Sequence, residues 1–226
     1  MTKIFSMGVA ALILFWGLTL NPVAAMAGAE AASVGFDGAL NAKGLPADWN
    51  LKVHEGTAKA NLVAEKGEKV LHMKSSDSSF ALDRDVAVDV REYPYLVWSW
   101  KAVSLPPQGD VREKSKDDQA LQLLVGFKDG RVLSYVWDTN APEGTVVSES
   151  LPWPLSVKIK VLVVESGGTD VGKWITNTRN VYNDYKRLFG KEPPAVAKVR
   201  LQMNTQYTGD SAEGFVGGIL FSRSVS

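Results

Sequence analysis

The stretch QALQLLVGFKDGRVLSYVWD, residues 119–138, carries the reading of the fold. Two alternating runs flank Asp129-Gly130, a dipeptide that favours a tight hairpin turn. A two-residue loop there pairs Phe127 with Val132, Val125 with Ser134 and Leu123 with Val136. The face they share with Leu121 is aliphatic and predicts the core. The opposite face pairs Leu124 with Tyr135 and Gln122 with Trp137, and so predicts a polar, aromatic flank open to solvent.

The same alternation extends in both directions. YLVWSWK, residues 95–101, places Trp98 and Trp100 on one side with Leu96, and Ser99 and Lys101 on the other. Large aromatics beside a leucine predict core for both tryptophans. Further short runs occur at Ser33–Phe36, Trp49–Val53, Ala58–Val63, Val70–Lys74, Phe80–Leu82 and Val86–Val90. Toward the C-terminus, AVAKVRLQMN points Ala197, Val199, Leu201 and Met203 one way and Lys198, Arg200, Gln202 and Asn204 the other. GFVGGILF closes the chain as a buried strand. Ser104–Asp118 is the longest polar loop, and Trp153 and Trp174 read as loop anchors.

One segment has helical rather than strand spacing. Val181, Tyr185, Leu188 and Phe189 fall on one stripe of a helix near residues 178–189. Asn177 or Thr178 can cap its start, Gly190 suits its end, and Pro193-Pro194 forbid continuation. Many strands and one short helix predict a single mainly-β domain over residues 30–226. Its architecture is an antiparallel two-sheet sandwich of jelly-roll or galactose-binding-like type.

The N-terminus predicts export. Lys3 precedes a long apolar run from Ile4 to Leu20, and small residues follow, so cleavage is expected after Ala27 or Ala29. That leaves roughly 200 residues, enough for one core, with no membrane span and a periplasmic or secreted location. The chain has no cysteine, which excludes disulfides, thiolate metal sites and a lipoprotein anchor. Lys plus Arg and Asp plus Glu both number 25, without a basic block, so nucleic acid is not an expected partner.

Catalytic motifs are sparse. His54 and His72 form no metal-spacing motif, and no Gly-x-Ser-x-Gly elbow occurs. Gly209-Asp210-Ser211 follows a late strand rather than opening a strand-to-helix turn. Asp117-Asp118, at a loop–strand junction, suits either a turn or a structural calcium ion. No other cofactor is expected.

Several segments in this order and spacing carry a resemblance: YPYLVWSWKA, KSKDDQALQLLVGF, SYVWD, WITNTRNVYNDYKRLFGKEPP and NTQYTGDSAEGFVGGILF. Together, from about Leu51 to Ser222, they resemble the bacterial exported family of domain of unknown function 3047 (DUF3047). The resemblance implies an exported β-sandwich and assigns no catalytic residue. Where some members carry Asp-Thr-Asp, this chain has Asn204-Thr205-Gln206.

The function expected from the residues is non-catalytic binding of a cell-envelope glycan or another small polar ligand. Tyr135, Trp137 and Gln122 would line a groove with Lys101, Asp117 and Asp118, and Arg179, Asn180 and Asp184 would close its rim. Alternatively, Arg179 and Asp184 tie the helix to the sandwich as an ion pair. Two other classes stay open: a hydrolase or lyase using Asp117 or Asp118 with Lys101 or Arg179, and an envelope protein that binds a partner chain at a sheet edge.

Overall fold

The computed structural model describes residues 31–151 and 156–225. The leader and Trp153 lie outside the described residues. The strands are β1 (Ala31–Ser33), β2 (Asn50–Glu55), β3 (Lys59–Glu65), β4 (Glu68–Ser76), β5 (Ser79–Val88), β6 (Tyr95–Ser104) and β7 (Gln119–Phe127). They continue with β8 (Arg131–Asp138), β9 (Val146–Ser150), β10 (Lys158–Ser166), β11 (Ile175–Asn180), β12 (Val196–Asn204) and β13 (Ser211–Ser222). The single α-helix among the described residues, α1 (Val181–Phe189), lies between β11 and β12.

These strands form two sheets packed as a jelly-roll-like sandwich. One runs β11-β6-β13-β4-β3, with β1 also paired to β13; the other runs β2-β5-β12-β7-β8-β10-β9. Pairing is antiparallel except at β8 and β10, which run parallel because β10 inserts between β8 and the returning β9.

Between the sheets lies an aromatic and aliphatic core. Trp98 and Trp100 are fully buried, as their shared face with Leu96 predicts. Trp98 stacks on Tyr135 at 5.4 Å between ring centroids, and Trp100 packs on Trp137 at 6.2 Å. Tyr135 and Trp137 are therefore core residues, which corrects the expectation that they are exposed.

The reason is a difference of one residue in the hairpin. Gly126 pairs with Val132, Leu123 with Tyr135 and Leu121 with Trp137, so the loop has three residues rather than two. Gly130 adopts φ 81°, and its N–H donates to the Phe127 carbonyl at 3.1 Å. A left-handed glycine ending a three-residue loop is the next most favoured hairpin closure. Moving the register by one residue turns every side chain of β8 to the other face. The aromatics thus join Leu121, Leu123, Val125 and Phe127 inside, and Val132, Ser134 and Val136 turn outward with Gln122 and Leu124.

Helix α1 begins later than residue 178. Residues 175–180 continue as strand, Ile175 opposite Trp100 through Asn180 opposite Tyr95, because Thr176 and Thr178 suit an edge strand. The cap is accordingly Asn180, whose side-chain oxygen accepts from the Asn183 N–H at 2.8 Å. Gly190, at φ 67°, ends the helix by donating to the Lys186 carbonyl at 2.9 Å. The buried Val181 and Tyr185 face the sandwich, and Tyr185 packs on Phe127 at 4.5 Å.

Candidate functional site

The sequence-predicted site residues separate into four places. Lys101 is on the outer face of the six-stranded sheet. There its Nζ pairs with Glu65 at 2.6 Å and sits over the rings of Phe215 and Trp174, at 4.4 and 5.2 Å from their centroids. Trp174 Nε1 donates to the same Glu65 carboxylate at 3.0 Å, and these two bonds hold the Glu65 pKa low. His72 stacks on Phe215 at 4.3 Å and meets Glu213 at 2.8 Å.

Arg179, Asn180 and Asp184 serve the helix. Arg179 bonds both Asp184 oxygens, at 3.0 and 2.7 Å, and the Tyr135 hydroxyl donates to Asp184 Oδ2 at 3.1 Å. This is the ion-pair tie named above as the alternative to a ligand rim. It explains why the Tyr135 hydroxyl can sit in the core. Tyr135 and Trp137 are core, the latter donating its Nε1–H to the Gly167 carbonyl at 3.1 Å.

Asp117, Asp118 and Gln122 do come together, on the outer face of the seven-stranded sheet. Cross-strand pairing there sets Gln202 of β12 beside Gln122 of β7, and Arg200 beside Leu124, itself opposite Ser134 of β8. Gln119, Gln122, Gln202, Asn204 and Gln206 form an amide cluster that lines a recess. Asp117, Glu149 and Tyr207 complete its polar wall, and Leu124, Ile159 and Val161 give it an aliphatic side.

The two adjacent aspartates have opposite roles. Asp118 is fully buried and accepts from the Tyr207 N–H at 3.2 Å, the Thr208 N–H at 2.8 Å, the Thr208 hydroxyl at 2.7 Å and Asn204 Nδ2 at 3.3 Å. Both oxygens are occupied by donors, so Asp118 fastens the turn after β12 and offers no lone pair to an ion. Asp117 instead accepts one side-chain bond, from Gln119 Nε2 at 2.9 Å. Burial first, then the nearby Glu149 carboxylate, push its pKa up to about 7. Burial also raises Glu149, and Tyr207 is raised by burial and by both acids. Among the described residues, no group of three or more His, Asp or Glu side chains gathers as a metal site would require.

A backbone contact fixes the orientation of the Asn204 amide. The Gln119 N–H donates to Asn204 Oδ1 at 3.3 Å, so that end of Asn204 is oxygen. Gln122 Nε2 donates to the same oxygen, and Asn204 Nδ2 donates to the Asp117 carbonyl. Gln202 Oε1 and Gln206 Oε1 are buried without a hydrogen-bond partner. A buried acceptor left unpaired costs about 1–3 kcal/mol. Gln202 is only 6% exposed.

Beside this cluster, on the β5 side, lies an ionic patch. Arg200 clasps Asp83 at 2.6 and 3.0 Å, and Lys52 reaches the same carboxylate at 2.9 Å. His54 sits nearby with its pKa lowered to about 4 by burial first and then by Arg200. Gln202 and Asn204 were legible as outward-facing residues of β12. Glu149 carries no sequence signal, because only the β9 return brings it in, and Gln206 is marked only as the last residue of the segment that stands in place of Asp-Thr-Asp.

The sequence profile of the family described as "Protein of unknown function (DUF3047)" matches residues 47–220. The chain belongs to the DUF3047 family. No curated protein matches this DUF3047 member in sequence. Its fold is similar to the family 11 carbohydrate-binding module of the cellulosomal cellulase Lic26A-Cel5E of Clostridium thermocellum. That match has 11% identity and a TM-score of 0.45, covering 87% of this chain and 96% of the module. It is also similar to the xyloglucanase domain of NopAA from Sinorhizobium fredii, at 10% identity and TM-score 0.48, covering 77% and 92%. A third is endoglucanase cel12A of Rhodothermus marinus, at 10% identity and TM-score 0.45, covering 83% and 98%. At such identities nothing about ligand or reaction passes from these proteins to this DUF3047 chain.

Proposed function

We propose that this DUF3047 protein is an exported, non-catalytic binding module for a cell-envelope glycan or similar polyhydroxylated ligand. The binding surface is the amide-lined recess on the seven-stranded sheet. The single observation that supports this most is the pair of buried, unpartnered oxygens of Gln202 and Gln206 beside Asp117. A folded chain rarely leaves such groups unsatisfied unless water or a ligand meets them. Amides and carboxylates around an aliphatic wall suit a sugar ring, whose hydroxyls need polar partners while its C–H face does not. The leader read in residues 1–27 supports a periplasmic or secreted location. No helix among the described residues is long and apolar enough to cross a membrane.

The hydrolase scheme with Asp117 or Asp118 and Lys101 or Arg179 loses its geometry. Lys101 faces outward from the opposite sheet, Arg179 is bound to Asp184, and Asp118 is bound by the turn after β12.

Isothermal titration against a panel of envelope polysaccharide fragments tests the proposal, with Gln202→Ala as the recess variant and Lys101→Met as the control. Binding that Gln202→Ala weakens and Lys101→Met leaves unchanged is expected. Absence of binding across the panel by folded protein, or equal loss in both variants, would overturn it.

A further inference from the structure

The recess has an imbalance in its hydrogen-bonding chemistry that narrows the ligand class. The side-chain amides of Gln119, Gln122 and Asn204 donate to Asp117, Asn204 and Asp118. Two buried acceptors are left without a partner, Gln202 Oε1 and Gln206 Oε1, and the Asp117 carboxyl lines the same recess with Glu149. A ligand that satisfies these oxygens must bring donors. Two carboxyl groups in one partly dehydrated recess also favour a positive charge over a neutral or negative one.

A bare divalent cation does not suit the rest of the lining. Calcium takes six to eight oxygen ligands, whereas Leu124, Ile159 and Val161 turn part of this wall aliphatic. Such a wall suits the carbon framework of an organic ligand. An acidic sugar would set its carboxylate against Asp117 and Glu149.

We propose that the recess binds the free ammonium group of an amino sugar, with Asp117 and the Gln202 and Gln206 carbonyl oxygens as its acceptors. This rests on the glycan-binding reading above and makes it specific. N-acetylation would remove the charge and two donors, so the deacetylated form is the one selected. The charged groups around Asp117 are Glu149, Asp118 and Asp138, and Lys114 lies near Glu149. The phenol of Tyr207 completes the set.

The test is titration of the purified protein with three probes at equal chain length: a β-1,4-glucosamine tetramer, its fully N-acetylated counterpart, and a cellulose tetramer. Calcium chloride alone is a fourth arm. The glucosamine tetramer is expected to bind at least about tenfold more tightly than either neutral probe, a difference of one decade per 1.4 kcal/mol. Titration at pH 6 in buffers of different ionisation enthalpy should show proton release on binding, because the ammonium draws Asp117 into its charged form. Asp117→Asn, nearly the same shape, should abolish that release and weaken binding about tenfold or more.

Equal affinity for the neutral tetramers would overturn the amine preference and leave the glycan proposal standing. Binding of no tetramer by folded protein would overturn both. Calcium binding that Asp117→Asn removes, without amine binding, would replace this inference with an ion site.

Discussion

The two outer faces of the sandwich solve the same problem differently. On the six-stranded sheet, Lys101, Glu65, Trp174, His72, Phe215 and Glu213 satisfy one another through ion pairs, stacking and cation–π contacts. On the seven-stranded sheet, Asp83, Arg200 and Lys52 form an ionic patch, and the amide cluster next to it ends in unpaired oxygens. Polar groups that neutralise one another describe a wall. Polar groups that stop one partner short describe a place for something else. The contrast is sharpest within one dipeptide, where Asp118 is saturated and Asp117 is not.

The largest expected effect tests that dipeptide. Asp118→Ala strands two backbone N–H groups and the Thr208 hydroxyl in a buried turn, and should cost about 3–5 kcal/mol in urea unfolding. If Asp118→Ala and Asp117→Ala destabilise equally, the two aspartates are not different in kind.

Next comes the tie beneath the helix. Asp184→Ala leaves Arg179 and the Tyr135 hydroxyl without their shared acceptor, and should cost about 2–4 kcal/mol. Ligand affinity at the recess should be unchanged once the protein is folded. A variant that stays stable yet loses binding would return Arg179 and Asp184 to the site.

Asp117→Asn should act in the opposite direction. In the folded chain the Asp117 pKa is raised from 3.8 to about 7, so the native state holds a proton that the unfolded state has already lost. Stability from this group is therefore present at low pH, falls as pH rises from about 4 to 7, and stays reduced above 7. The variant should flatten that slope and gain about 1–3 kcal/mol at pH 8, read from chemical denaturation at several pH values. No gain at pH 8 would mean that the Asp117 carboxylate is not strained in the recess.

The smallest effect belongs to the closed face. Lys101→Met should move the thermal midpoint by no more than about 2 °C and leave binding intact. A large loss of binding would show that the two faces had been assigned the wrong way round.

Much of this architecture is readable in the sequence. Alternation placed Leu96, Trp98 and Trp100 inward and Lys101 outward, and the stripe through Val181, Tyr185 and Phe189 gave the helix. The face of β8 was not readable, because both of its faces are apolar enough to be buried and one extra loop residue decides between them. Alternation gives which residues share a side, and the turn gives which side it is. The start of α1 was missed because Asn177, Thr178 and Asn180 are all competent caps, and only pairing of β11 with β6 selects the last. The recess was half legible. Gln122 and Asp117 were named, and Gln202 pointed outward, but hydrogen bonds to backbone atoms separated Asp117 from Asp118, and those follow from tertiary structure.

The position of β12 has a consequence for how this surface comes into being. That strand lies between β5 and β7, although some seventy residues follow β7 before it begins. Until it docks, two flanking strands present open edges, a state prone to mispairing and slow to close. Gln202 and Asn204 ride in on this late arrival. The amide cluster is thus assembled by the step that seals the sheet, and a nascent chain truncated before residue 196 would have neither the closure nor the cup.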